Sequence, residues 1–521
     1  MNYLYLLTFF VTLLVIILII TKKGDSRTVP ALPDGVYKSI PFEQLQQYTD
    51  KRLEFIKNNS KNYMYYDERI FDFITPALKN AKTLDQYVNT LFTVPNAEVG
   101  YYPILPLKGN PDDYMGYQFE QGMIGWYWIY STFYDPVSKA AATYFVTIGR
   151  FDIFPPKLRE ELDLSLGSTT YYTINAAASV GGKWNYSEKT TLPGVYTKNG
   201  TNFSIDLSSS NISLNLTGNS SFCDVSCSFI NANQSAESKI TSFSCQMNST
   251  RPGFWNGPKG CAPCAGGSGT LYFSKTNYDV SANIDINNAS YKLSNGVGWI
   301  DRQWQNRRIT KPFLNILSNL LSTFSTQASS FTDYTYIWTP INIAPNKQYA
   351  PFTLTNEKLH RGKVLKGYVI KYSENDTDLT SKMSPTQFTI LDGVEYLNSF
   401  WPTKIFIDVD DGYIVDQSPF GLALSPETKN GTFHQNGSTV VYDKNMKFVG
   451  TGFLEGNDIQ DQDVRIINYL KTINLPSDEK SLDLIKKYTL SAKQTYPSFL
   501  IIFVLVILII MLPVLLYKTF A

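Results

Sequence analysis

The chain has 521 residues, enough for two or three domains, and its 46 basic and 45 acidic side chains leave a net charge of +1. So balanced a chain offers no basic surface for nucleic acid, and only two histidines, His360 and His434, speak against a Ser-His-Asp triad or a His-rich metal centre. Aromatic residues make up 14% of the chain; with frequent Asn, Ser and Thr, that mixture points to β-rich structure with polar turns.

Both ends are apolar. Tyr3 to Thr21 is almost pure Leu, Ile, Val and Phe, closed by Lys22 and Lys23, and Phe499 to Tyr517 repeats the pattern before Lys518. Each has about the 20 residues needed to cross a hydrocarbon core. Residues 1–23 and 497–521 are therefore expected as transmembrane anchors. The first lacks the basic start and small-residue cleavage site of a signal peptide, so it is expected to stay uncleaved. Two spans put both termini on one side of a membrane, the partner this pattern implies, and the middle on the other. Lysines inboard of each span would keep the middle cytosolic. Asn-x-Ser/Thr acceptors argue for a lumenal or extracellular middle, or a virion surface. They crowd at Asn185, Asn199, Asn211, Asn215, Asn219, Asn233 and Asn248, the expected glycosylation sites.

After the first anchor, a Pro-containing linker leads into helical periodicity carried by Leu45, Tyr48, Leu53 and Ile56, which makes 24–100 a linker and helical cap. From Tyr101 the pattern turns β. Gly125-Trp126-Tyr127-Trp128-Ile129-Tyr130 runs to an Asp135-Pro136 turn and returns through Ala142 to Ile148 as an aromatic hairpin. Short, evenly spaced strands follow and suggest a closed barrel or a sandwich.

All five cysteines lie between 223 and 264, a stretch expected as an insertion. An oxidising setting favours two disulfides with one thiol left over. A zinc site on Cys223, Cys227, Cys261 and Cys264, and a redox pair at Cys261-Ala-Pro-Cys264, are the alternatives. No cofactor is expected.

The stretch richest in chemistry is Gly298-Trp299-Ile300-Asp301-Arg302-Gln303-Trp304. In a strand, Trp299, Asp301 and Gln303 share one face, and Arg302 and Trp304 share the other. An acid flanked by indole rings is poorly solvated, so it must find a hydrogen-bond partner or stay protonated. Asp301 is then either part of a structural knot, paired to Arg302 or nearby backbone, or a general acid on the floor of an apolar pocket. Beyond it, Phe313, Leu317, Leu320 and Phe324 line one face of an amphipathic helix. Strands resume to about Glu455, and a charged helical stalk follows. The expected organisation is anchor 1–23, linker and cap 24–100, first β domain 101–308 with the Cys-rich insertion 223–264, bridging helix 309–332, second β domain 333–457, stalk 458–496 and anchor 497–521.

Five stretches, in order, resemble the carotenoid 1,2-hydratase (hydroxyneurosporene synthase) and AttH-like family. They are Trp126-Tyr127-Trp128, Leu271-Tyr272-Phe273-Ser274, Gly298 to Trp304, Trp401-Pro402-Thr403-Lys404 and Gly450-Thr451-Gly452-Phe453-Leu454-Glu455. The resemblance covers about 110–456. It implies a mainly β fold of two tandem lipocalin-like β-barrel domains with an apolar cavity near their junction. It also implies that Asp301 supplies a proton to an alkene, with Glu455 as its partner. Trp126, Trp128, Trp299, Trp304, Arg302 and Gln303 would line the ligand, the indole faces stabilising a carbocation. The chain departs from the family pattern at Gly125 and Gln303, where the family carries acids.

Two functions compete. One is a membrane-anchored, glycosylated lipocalin-like protein that binds an apolar lipid or isoprenoid, or serves a structural role in the membrane. The other is an acid-catalysed hydratase or cyclase of a polyene or terpenoid that uses Asp301.

Overall fold

The computed structural model describes residues 31–457 apart from internal stretches, the longest of which are 59–74, 94–109, 306–334 and 423–434. Strand β1 (Gly35–Lys38) precedes three short helices, α1 (Phe42–Gln47), α2 (Thr49–Asn58) and α3 (Leu84–Thr93). The hairpin β2 (Ile124–Tyr134) and β3 (Ala141–Asp152) is followed by β4 (Thr170–Val180), β5 (Lys183–Tyr186) and β6 (Thr190–Asn199). Next come β7 (Asn202–Ser208), β8 (Ile212–Gly218), β9 (Phe222–Phe229) and β10 (Ile240–Ser249). Two short strands, β11 (Phe254–Trp255) and β12 (Cys261–Pro263), lead to the long hairpin β13 (Gly269–Ile286) and β14 (Ala289–Gln305).

These strands pair antiparallel in the order β4-β6-β7-β8-β9-β10-β13-β14-β2-β3, and β3 pairs with β4 again, which closes a barrel. Strands β9 and β10, both within or overlapping 223–264, are part of its wall. The second barrel comprises β15 (Thr335–Trp338), β16 (Ile341–Ile343), β17 (Lys347–Thr355), β18 (Val364–Ser373) and β19 (Lys382–Tyr396), then β20 (Ser399–Ile407), β21 (Tyr413–Asp416), β22 (Gln435–Asp443) and β23 (Phe448–Asn457). It runs from β17 through β18 to β23 and closes through β15 and β16, each of which pairs with both β17 and β23. The protein is thus mainly β, with two closed barrels and few helices.

Each barrel fills its own lumen. Tyr127, Ile129, Tyr144, Val146 and Ile148 point into the first, and Ile337, Leu365, Phe388, Ile405 and Val441 into the second. A third apolar layer lies between the barrels, built from Trp128, Tyr130, Phe145, Trp299 and Phe453 with their neighbours. Strand β2 shows why its sequence is apolar without a break from Trp126 to Tyr130: Tyr127 and Ile129 face the lumen while Trp128 and Tyr130 face the seam, so neither side meets water. Hydrogen bonds cross the seam as well. Thr132 Oγ1 donates to Ser438 Oγ over 2.8 Å, Ser179 Oγ to Phe420 O over 3.0 Å, and Trp184 Nε1 to Gly421 O over 3.1 Å. Gly421 has φ of 74° and abuts Gly182, whose carbonyl oxygen lies 2.2 Å from where a Cβ would be, so only glycine fits there.

Three expectations are corrected. No helix among the described residues is long and apolar enough to cross a membrane. Helices α2 and α3 have ten residues each, half of the roughly 20 a span requires. The expectation of an integral membrane protein with a membrane partner and a lumenal or extracellular middle is corrected to this extent: no described helix supplies a membrane span. The stretches on which it rested, 1–23 and 497–521, lie outside the described residues, as do the bridging helix 309–332 and the stalk 458–496.

The second correction concerns the cysteines. Cys223, Cys227 and Cys245 are free thiols, so two disulfides cannot form among five cysteines. Strand alternation sends all three into the lumen of the first barrel, among Leu214, Leu216 and Phe243. Burial pushes the Cys227 and Cys245 thiols up to about 12 and the Cys223 thiol well above the ordinary range. Among the described residues no three His, Cys, Asp or Glu side chains gather as metal ligands, and Cys264 lies outside them.

The third concerns Asn185, which is buried with Nδ2 donating to Lys183 O over 3.1 Å and so cannot present itself for glycosylation in the folded protein. Asn199, Asn211 and Asn248 are exposed. Asn215 and Asn219 are half-buried and bonded to Asp206 and Asn202 respectively, and Asn233 lies outside the described residues.

Candidate functional site

Three adjacent strands of the first barrel turn one face to the seam. Strand β13 presents Tyr272, Ser274 and Thr276, β14 presents Gln303, Asp301 and Trp299, and β2 presents Trp126, Trp128 and Tyr130. The register sets Ser274 on one side of Asp301 and Trp128 on the other, so the carboxyl occupies the centre of the patch. Asp301 is 1% exposed.

Its polar contacts are few and directed. Trp299 Nε1 donates to Asp301 Oδ1 over 2.7 Å, an i to i+2 contact that the shared strand face makes possible. Ser274 Oγ donates to the same oxygen over 2.5 Å. Asn256 Nδ2 donates to Ser274 Oγ over 2.8 Å, which directs the hydroxyl proton toward Asp301. The Tyr272 side chain is a further hydrogen-bond partner of the carboxyl.

The second barrel completes the enclosure. Phe453 meets Trp128 edge-on at 4.4 Å and Tyr130 at 4.5 Å, and Trp338 lies 5.3 Å from Trp128 and 6.1 Å from Trp299. Phe254 stands edge-on to Trp299 and stacks on Tyr372. Burial in this apolar shell pushes the Asp301 carboxyl up to about 8. The hydrogen bonds from Ser274, Trp299 and Tyr272 pull it down in part, and the charge of Glu455 pushes it up. Glu455 is two residues beyond Phe453 on β23, is half-buried and accepts from Tyr336 Oη over 2.6 Å. An acid from each barrel therefore sits close enough to its counterpart for the charges to interact.

Arg302 takes no part in this. Its guanidinium lies on the lumen side, 4.0 Å from the Tyr127 ring centroid and 4.3 Å from that of Trp304. It donates to the carbonyls of Trp126, Gln303 and Tyr117 over 3.1, 3.2 and 2.7 Å. Among the described residues no cation pairs with Asp301. Trp304 belongs to the lumen core and donates to Tyr117 O, while Trp126 and Gln303 are half-buried on the seam side. The structure thus gathers Asp301, Trp299, Trp128, Trp126, Gln303 and Glu455 at the seam and leaves Arg302 and Trp304 behind the sheet.

The sequence alone does not mark Tyr130, Phe254, Asn256, Ser274, Trp338 and Phe453 as site residues. Ser274 and Phe453 lie inside the family-like stretches, but strand register brings Ser274 to Asp301 and docking of the second barrel brings Phe453 onto Trp128 and Tyr130.

No family model matches the chain, and no curated protein sequence does. Among solved structures, it resembles an AttH protein from Nitrosomonas europaea at 12% identity and a TM-score of 0.44, covering 69% of this chain and 98% of that one. It also resembles kievitone hydratase from Nectria haematococca at 12% identity and a TM-score of 0.42, covering 69% and 96%. Nothing at the level of sequence singles out the carotenoid 1,2-hydratases.

Proposed function

We propose that the seam between the barrels is an active site for acid-catalysed addition to the double bond of an apolar polyene or terpenoid, with Asp301 as the general acid. The observation that carries this reading is a carboxyl 1% exposed, without a cationic partner among the described residues and pushed up to about 8. Such a group holds its proton at neutral pH and has a donor strength near the optimum for general acid catalysis.

Proton transfer to an alkene carbon leaves Asp301 as a carboxylate and the substrate as a carbocation. Ser274, Trp299 and Tyr272 already point donors at the carboxyl, so their bonds strengthen as its charge develops and assist the transfer. The ring faces of Trp128, Trp299 and Phe453 offer π density to the cation. Water then captures the cation to give an alcohol, or a second double bond captures it to close a ring. Glu455 tunes the acid by opposing its ionisation.

The test is incubation of the whole protein with squalene in deuterated water, followed by mass spectrometry. Deuterium is expected in recovered alkene or in a hydrated or cyclised product, and none with Asp301→Asn. Equal labelling by both proteins would refute it.

A further inference from the structure

Tyr130 belongs to the wall of the site, yet the acid step leaves its hydroxyl unused. The side chain is 1% exposed. Its ring stacks on Trp299 with 6.2 Å between centroids and 16° between planes, and it packs 4.5 Å from Phe453 and 5.3 Å from Trp128. In the sheet it is diagonal to Asp301, because Tyr130 pairs with Trp299 and Trp128 pairs with Asp301. Diagonal neighbours on one face are within reach of an aromatic side chain. The hydroxyl has no hydrogen-bond partner among the described residues. Burial, and after it the charge Asp301 carries when ionised, holds the phenol well above its ordinary range.

Buried hydroxyls nearly always have a partner in protein or ordered water. A phenylalanine would make every ring contact that Tyr130 makes, so packing does not account for the oxygen. The donors on Asp301 are Ser274, Trp299 and Tyr272, so this hydroxyl does not hold the acid either. A buried hydroxyl without a described partner, diagonal to the acid on the same sheet face, suits one small polar reactant.

We propose that the Tyr130 hydroxyl holds the water molecule that adds to the carbocation formed when Asp301 gives up its proton. The inference rests on the acid reading of Asp301. The step balances with water alone as co-reactant. The O–H bond of Asp301 breaks and a C–H bond forms on the alkene. The oxygen of the held water bonds to the cationic carbon, and one of its protons passes to the Asp301 carboxylate. The alkene and water become an alcohol, and the acid is regenerated. Capture by a held water makes hydration, rather than ring closure, the outcome at this site.

Two measurements test it with the whole protein and Tyr130→Phe. High-resolution crystal structures are expected to show a water within hydrogen-bond distance of Tyr130 Oη and lying toward Asp301, lost in the variant with the rings unmoved. Absence of that water, or its persistence in Tyr130→Phe, overturns the proposal. With squalene in deuterated water, the variant is expected to keep label entry into recovered alkene while forming at least ten-fold less alcohol. Undiminished alcohol also overturns it. A wild-type protein that neither labels nor hydrates squalene counts against the acid role of Asp301 and not against the water site, which the density decides alone.

Discussion

Asp301 and Arg302 are consecutive in the chain and lie on opposite sides of one sheet, the carboxyl toward the seam and the guanidinium between the Tyr127 and Trp304 rings. Strand geometry enforces the separation, since neighbouring side chains alternate faces. The pairing that would have ionised Asp301 is thereby excluded. Replacement of Asp301 by Asn keeps an oxygen that accepts from Ser274 and Trp299 and removes only the transferable proton. Asp301→Asn is therefore expected to fold normally by circular dichroism and to lose about 10²–10⁴-fold in turnover of a responsive polyene.

The same carboxyl gives stability a pH dependence of known sign. In the folded protein Asp301 holds its proton up to about 8, while the unfolded chain releases it near the ordinary carboxyl value of 3.8. Between these limits the folded state binds the extra proton, so the contribution of Asp301 makes stability fall as pH rises through the window and level off above it. Urea unfolding at about pH 5 and about pH 9 should show wild type losing stability relative to Asp301→Asn. A relative gain would reverse the assignment.

Arg302 is predicted to be structural. Arg302→Met would leave the carbonyls of Trp126, Gln303 and Tyr117 without their donor and remove the charge stacked on two rings. A loss of about 3 kcal/mol or more in unfolding free energy is expected. Arg302 is not among the groups that shift Asp301, so the titration of Asp301 should stay in place. A variant that is as stable as wild type would show that the guanidinium contributes little.

The thiols of Cys223, Cys227 and Cys245 should resist a disulfide-exchange reagent in the native protein at neutral pH and react once it is unfolded. Their burial and raised proton affinity keep them as thiols. Because they are free, reducing agent should not release further reactive groups at these positions. Fast native labelling of Cys223 would place it outside the lumen.

Much of the architecture was legible in the residues. Alternation along Trp299 to Trp304 separates the two faces of β14, and the order of the five family-like stretches points to two barrels. What could not be read was register. Asp301 meets Ser274 only because β13 and β14 pair over a long hairpin, and Trp128 meets Phe453 only because the second barrel docks on that face. The cysteines misled because spacing carries no information about a lumen: Cys223 and Cys227 alternate inward with Val225 like any core residues. The aromatic run in β2 could not say by itself that it has two buried sides, since a continuous apolar stretch fits a core strand of several architectures.

Infrared difference spectroscopy of wild type against Asp301→Asn across a pH series decides whether Asp301 is a neutral acid inside an aromatic seam. A neutral Asp301 gives a protonated carboxyl C=O band at neutral pH that the variant lacks and that gives way to a carboxylate band near a pH of about 8. A carboxylate band alone at neutral pH would contradict it.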